Sequence, residues 1–469
     1  LDIRRIVALS VFGFFIFCTV HSLFSDNNEE DTSSRSSEAV KEREEDVKTL
    51  FEERKEILAY GIESEVVELL KTLAEEENTK LSEDVYSLLT MSLGEDVNKA
   101  IFAYFTAIHY TEAWDKATGI LKNHEDYGRD LLLEVIEYLS IFEDKAFAKH
   151  LYPLVDHSND SIARKALKTI GLDQKSDKEK YIEDLLEKLD SDDFPSQLKP
   201  EILLALGSMK ADAARQKLET IVLDENEEST WRRYAADALG KIGNPESLQV
   251  LNDAYETDDV YLRSYILYAI GQYDTAESKA FLLKGLRDSF WRSRVVAAKA
   301  LGELQYSEAV PILVYKAKND PENKVKIEAI LALGAIGNAK AVEELRDFYT
   351  SKKYSLEIRK SALLTLTNHH TESSVNVFKE IIQKEWGTNQ SRPNILMETV
   401  KALSKQTSPA LKEIFLLLLD HPHYIVTMLA IRGIQKNGFT ELKGRIESLT
   451  EEGNSKPVRK TAADALESL

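Results

Sequence analysis

The sequence predicts an all-α protein, an α-solenoid of about twelve stacked helical hairpins, on three observations. The segment ALGKIGN, Ala238 to Asn244, returns as ALGAIGN, Ala332 to Asn338. Setting Gly171, Gly207, Gly240, Gly271, Gly302 and Gly334 in register puts a basic residue eight positions earlier in five of the six copies. These are Lys199, Arg232, Arg263, Arg294 and Lys326, at intervals of 33, 31, 31 and 32. Each period holds two helical patterns and no strand pattern, which is the signature of stacked repeats.

One copy shows how a hairpin is written. Trp231, Ala235, Ala238, Leu239 and Ile242 recur at intervals of three and four and define one face of a helix that must be buried. Gly243 and Asn244 break it. Pro245 then sits where a first helical turn tolerates proline, and Leu248, Leu251 and Tyr255 give a second apolar stripe. The same rhythm places hairpins at about 48 to 78, 82 to 125, 128 to 157, 160 to 190, 195 to 224, 230 to 256, 261 to 287, 291 to 319, 324 to 350, 357 to 386, 394 to 420 and 425 to 451. A half-repeat, Val458 to Leu469, suits a terminal cap through Lys460, Asp464 and Glu467. The alanines at 235, 236 and 238, matched by 297, 298 and 300 and by 462, 463 and 465, let helices approach closely.

The basic ladder continues to Arg359, gives way to Leu396 and Thr427, and resumes at Arg459. An acid precedes it in the turn at Asp193, Asp224, Asp259, Asp288 and Asp320. Partly shielded pairs in a network are favoured over isolated surface ones, so the ladder reads as structural, a series of hydrogen bonds and ion pairs between adjacent turns. The competing reading is a basic stripe for a phosphate or nucleic acid.

These copies, read as D…VR..AA.ALG.IG…A…L, resemble the HEAT-repeat superfamily, and specifically the short HEAT-like repeats of the phycobilisome-lyase type. The best-matched stretch is residues 224–350, with the motif fullest in Asp224 to Leu251 and Asp320 to Leu345. The resemblance implies a solenoid whose second helices line a concave face, and the leading expectation is an exported scaffold or adaptor that holds a protein or peptide on that face. The signatures of tetratricopeptide and ankyrin arrays are missing.

At the N-terminus Arg4 and Arg5 precede an apolar run from Ile6 to Val20, with small residues at Ser22 and Ser25. Residues 1–25 read as a signal peptide, with an uncleaved membrane anchor as the second reading and a lipoprotein at Cys18 as the third. The first two export the remainder, and a periplasmic location is expected. Residues 26–45 are polar, charged and free of aromatics, as in a disordered tether. Residues 46–469 read as one array. Cys18 is the sole cysteine, so the exported portion has no disulfide and no thiolate metal ligand.

Composition constrains partners. Eighty acidic against sixty basic side chains give a net charge of -20, which opposes non-specific binding to nucleic acid or anionic lipid. No nucleotide-binding, HExxH or GxSxG pattern occurs. The pairs His369 with His370 and His421 with His423 lack a third ligand at a helical interval, and no catalytic carboxylate pair stands out. The expectation is a non-enzyme with no metal and no cofactor.

Aromatic residues are dense from Trp231 to Tyr315, and exposed tyrosine or tryptophan is what protein recognition uses. Trp231, Tyr255, Tyr261, Phe290, Trp291 and Tyr315 are the candidate partner-binding residues, and a protein or peptide is the expected partner. The alternatives are a groove that carries an apolar or aromatic small ligand, and a cell-envelope spacer. The oligomeric state is not legible in the sequence.

Overall fold

The computed structural model describes residues 49–91, 93–368, 372–387 and 395–469. The segments at 1–25 and 26–45, the pair His369 and His370, and most of the insertion from Gly387 to Pro393 lie outside the described residues. Within them every regular element is a helix, as expected for the solenoid class. They form two compact units, one ending at Tyr110 and one running from Thr111 to Leu469.

In the first unit a helix covers residues 49–60, followed by Glu63–Glu75, Ser82–Leu88 and Glu95–Ile108. Glu63–Glu75 packs along Glu95–Ile108 and buries Leu70, Leu73, Ile101, Phe102 and Phe105. The Tyr104 hydroxyl donates to the Asn78 carbonyl at 2.6 Å, and burial pushes the phenol up to about 12. The hairpin expected over 82 to 125 is instead three helices, Ser82–Leu88, Glu95–Ile108 and Trp114–Lys122. Gly94 opens the second of them, and His109, at φ 54°, closes it in the left-handed region.

In the second unit the helices alternate between two layers. The first-layer helices include Lys199–Ser208, Ser229–Ile242, Val260–Ile270, Trp291–Glu303, Asn323–Ile336, Leu356–Asn368, Ile395–Leu403 and Tyr424–Asn437, each packed on the next. Second-layer helices, among them Arg215–Leu223, Leu248–Ala254, Ala276–Gly285, Val310–Asn319 and Ala339–Thr350, connect them.

The recurring heptapeptide is explained position by position. A Cβ added at Gly207 would lie 2.6 Å from the Cα of Ala238, and one at Gly240 2.6 Å from the Cα of Ala269. Glycine on one helix therefore meets alanine on the next at backbone contact. Gly243 and Gly337, at φ 75° and 61°, end their helices in the left-handed conformation that costs an L side chain energy. Asn244 Oδ1 then accepts the Glu246 N–H at 3.0 Å, and Asn338 Oδ1 the Ala341 N–H at 2.9 Å, which caps the element that follows.

Candidate functional site

The turns that enter the first-layer helices carry both the charge ladder and the aromatic cluster. Arg263 spans to the next turn, where its Nε donates to Asp288 Oδ2 at 2.8 Å and its Nη2 to Oδ1 at 3.1 Å. Arg294 does the same to Asp320 at 2.8 and 2.7 Å. The equivalent rung one repeat earlier is made by Arg233, whose Nη2 reaches Asp259 at 2.8 Å. Arg232, which holds the ladder register, instead donates through Nε to the Val222 carbonyl at 3.0 Å. Arg359 similarly reaches the Tyr349 carbonyl at 3.0 Å. Both acceptors lie in the last turn of a second-layer helix, where carbonyls have no partner inside the helix. The ladder thus does two jobs: it satisfies helix ends behind it and grips the acid ahead of it.

The remaining rungs vary. Lys199 is buried with its Nζ 5.7 Å from the centroid of the Trp231 ring, and Lys326 is half-buried. Arg459 Nε is buried without a hydrogen-bond partner. In the slot held by Thr427, the hydroxyl donates to the His421 carbonyl at 3.0 Å, and Leu396 is fully buried. Burial alone would raise the acids of these rungs. The Arg263, Tyr255 and Phe290 N–H bonds more than offset it at Asp288, and the Arg294, Glu322 N–H and Lys316 bonds do so at Asp320, so both carboxyls sit below the usual Asp value.

On the solvent side of the same turns the rings and cations interleave. Tyr261 and Phe290 meet edge to face at 5.2 Å, and Phe290 lies 5.9 Å from Trp291. Arg233 and Arg292 stand 5.2 and 5.7 Å from the Tyr261 centroid, Arg292 also stands 5.8 Å from that of Trp291, and Lys324 lies 4.7 Å from the Trp291 ring. Such stacks combine an apolar body with fixed positive charge. Beside them an open cleft of about 850 Å³ is lined by Glu225, Arg232, Glu256, Asp258, Arg287 and Ser289 among others, with the Arg263–Asp288 pair in its wall. Among the described residues no group of three or more His, Cys, Asp or Glu side chains is placed to share a metal ion.

A family model described as spirochaete HEAT repeat protein matches residues 58–465. The chain belongs to that family. This HEAT repeat protein is also 26% identical to the deoxyhypusine hydroxylase of Drosophila melanogaster, in a match covering 36% of the chain and 65% of the relative. It is 30% identical to the deoxyhypusine hydroxylase of Saccharomyces cerevisiae, over 33% of the chain and 48% of the relative. The chain therefore spans less than two thirds of these curated relatives. Among solved structures, yeast importin-beta is 12% identical with a TM-score of 0.48, covering 89% of this chain and 66% of that one.

The relatives correct one expectation. Sequence reading took the HEAT repeat protein for a non-enzyme, and its curated relatives carry an enzyme's name. The physical reason is that motif searches see chemistry written at short intervals. A solenoid brings together residues about thirty positions apart, one from each repeat, and no local motif need exist.

The six candidate partner-binding residues separate in space. Tyr261, Phe290 and Trp291 share the row just described, and Trp231 lies over Lys199 one turn earlier. Tyr255 is 6% exposed; its ring packs on Phe281 and its hydroxyl donates to Asp288, so it is packed into the wall of the cleft and not onto the row. Tyr315 is 61% exposed on the second-layer helix Val310–Asn319, in the other layer from the row. Sequence reading missed Arg233, Arg292 and Lys324, which complete the row. The available signal was their place within two residues of a ladder residue at the start of a first-layer helix.

Proposed function

We propose that this HEAT repeat protein is an exported adaptor that holds a segment of another protein along the first-layer entry turns, from Arg233 to Lys324. The observation that supports the reading most directly is the interleaved row of Tyr261, Phe290, Trp291, Arg233, Arg292 and Lys324. Tyrosine, tryptophan and arginine are the residue types that dominate protein-protein binding energy, and here their positions are fixed by stacking and ion pairing before a partner arrives. The neighbouring cleft offers both signs of charge to the partner's backbone and polar side chains. Net charge of -20 supports a protein partner over nucleic acid. Export to a periplasm rests on residues 1–25, read as a signal peptide or an inner-membrane anchor. Among the described residues no helix is long and apolar enough to cross a membrane.

A photo-crosslinking residue placed at Tyr261 or Trp291 in the native host tests the site. A discrete adduct with one protein at both positions, lost on Arg292→Glu and not formed from Tyr315, is the expected result. Adducts that are absent, or equal at Tyr315, would sink the reading. Fractionation of the same cells, with protease added to the exposed periplasm, tests export.

A second reading is that the chain hydroxylates deoxyhypusine, and it rests on the matches to the fly and yeast proteins of that name. Gain of one oxygen atom by a deoxyhypusine-bearing substrate, followed by mass spectrometry, decides it.

A further inference from the structure

A different surface of the second unit has its own origin in the repeat. In the central copies glycine on one first-layer helix meets alanine on the next, as Gly240 meets Ala269. Thr367 holds the glycine register on Leu356–Asn368, and Ala402 holds the alanine register on Ile395–Leu403. A threonine side chain does not fit in the space of a hydrogen atom, so these two helices pack less closely than the central ones. A groove of about 300 Å³ opens between them, with Thr367 and Ala402 in its lining together with Leu356, Leu363 and Leu364. Tyr349 fixes its floor, donating to the Ile395 carbonyl at 2.9 Å with its oxygen 3.0 Å from Thr399 Oγ1.

The groove is apolar inside and cationic at its rim. Leu356 and Leu364 are 56% and 55% exposed and present apolar surface at the mouth of the groove. Leu331, 41% exposed, occupies on the adjacent helix Asn323–Ile336 the same register that Leu364 has on its own, and extends the apolar surface by one repeat. Lys360, Lys401 and Lys405 line the groove, against the single carboxylate of Glu398. No ion pair joins any of the three lysines to a carboxylate among the described residues, in a chain whose net charge is -20.

We infer that this groove docks an acidic amphipathic helix of a partner protein, with two apolar side chains seven residues apart. Charge complementarity sets the sign: an acidic segment is the one a rim of unpaired lysines attracts. Spacing sets the form. Packed helices stand about 8–10 Å apart, Leu331 and Leu364 hold one register on successive helices, and seven residues of an α-helix rise about 10.5 Å. One apolar side chain enters the groove at Leu363 and Leu364, the next covers Leu331, and the carboxylates between them reach the lysines, the helix-in-groove mode of recognition.

Fluorescence anisotropy with a labelled synthetic helix, leucine at i and i+7 among glutamates, is the test, run on the full chain. Saturable binding is expected, weakening with salt, at least tenfold weaker for the double variant Lys401→Glu, Lys405→Glu and for Leu364→Glu, and unchanged for Trp291→Ala. Those positions are exposed, and thermal melts superposable on the parent confirm that the variants fold. The unchanged Trp291→Ala result separates this groove from the aromatic row. Equal binding of the same peptide with lysine in place of glutamate would overturn the inference, as would indifference to both groove variants. Dodecanoate binding in the groove while the peptide does not would also overturn it, and would assign a small amphiphile instead.

Discussion

Arg294 holds Asp320 of the following turn through two parallel hydrogen bonds, 2.8 Å from Nε and 2.7 Å from Nη2, with the two side chains 8% and 0% exposed. The same guanidinium donates through Nη1 to the Asp288 and Ser289 carbonyls at 3.0 Å, so one side chain ties together two consecutive turns. The entry turns are positioned by such ties, and the aromatic row rests on them.

Arg294→Ala should destabilise the second unit by up to about 3–5 kcal/mol, because it removes the two-bond partner of a buried carboxylate that then keeps only Lys316 and the Glu322 N–H. Arg294→Lys should recover only part, since an ammonium cannot donate in the same fork. Urea denaturation followed by far-UV circular dichroism measures both. Recovery of full stability by the lysine variant would show that charge alone, not the fork, matters.

Acid should weaken the same rungs. Asp288 and Asp320 have folded-state values below the usual 3.8. The unfolded chain then binds protons first as pH falls. The stability these acids contribute is complete above about pH 5 and is lost progressively as pH drops through the unfolded and then the folded value. Asp320→Asn should flatten the acid limb of a stability-against-pH curve while lowering its plateau.

His421 should add a separate loss nearer neutrality. It is 4% exposed, accepts the His423 N–H on Nδ1 at 3.1 Å and places Nε2 3.1 Å from the Trp386 carbonyl, an arrangement that requires the neutral ring. Burial holds its value below 6.5; the Trp386 carbonyl opposes this and the neighbouring charge of His423 reinforces it. A group depressed in this way costs stability as pH falls below about 6.5 until the folded value is reached. Nuclear magnetic resonance titration of the ring should show a midpoint below that of an exposed histidine, and a midpoint at or above 6.5 would refute the account.

Glycines in the two settings should respond oppositely to alanine. At Gly240 a Cβ would lie 2.6 Å from the Cα of Ala269, and backbone cannot yield, so Gly240→Ala should cost about 1–3 kcal/mol. At Gly444, inside the helix Lys443–Glu447, nothing lies within 4 Å of an added Cβ. There the gain in helix propensity is unopposed, and Gly444→Ala should stabilise by about 0.5–1 kcal/mol. Thermal melts of the two variants beside the parent provide the comparison.

Tyr255→Phe should cost about 1–3 kcal/mol by removing a hydrogen bond to a charged acceptor, Asp288. Tyr315→Ser, at a site 61% exposed, should change stability by less than about 0.5 kcal/mol. Denaturation curves separate the two residues that sequence reading had grouped together.

The heptapeptide Ala238 to Asn244 was legible because each letter meets a local demand: alanine and glycine for close packing, glycine for the left-handed cap, asparagine for the turn that follows. The aromatic row was half legible. Tyr261, Phe290 and Trp291 were named from composition, but nothing in a string of letters distinguishes the exposed Tyr261 and the half-buried Phe290 and Trp291 from the buried Tyr255. Register was the other gap: Arg233, one residue off the ladder, takes the rung to Asp259, because the direction of a side chain on a helix changes by about 100° with each residue.

By itself the sequence determined the class of fold and its period, since a periodic apolar pattern with caps at fixed intervals can bury its hydrophobic faces only by stacking hairpin on hairpin. Packing between repeats settled which carboxylate each arginine grips, which tyrosine reaches solvent, and that a groove lies beside Thr367, where the central repeats carry glycine. Those outcomes depend on the neighbouring repeat, whose residues lie some thirty positions away in the chain and a few ångströms away in space.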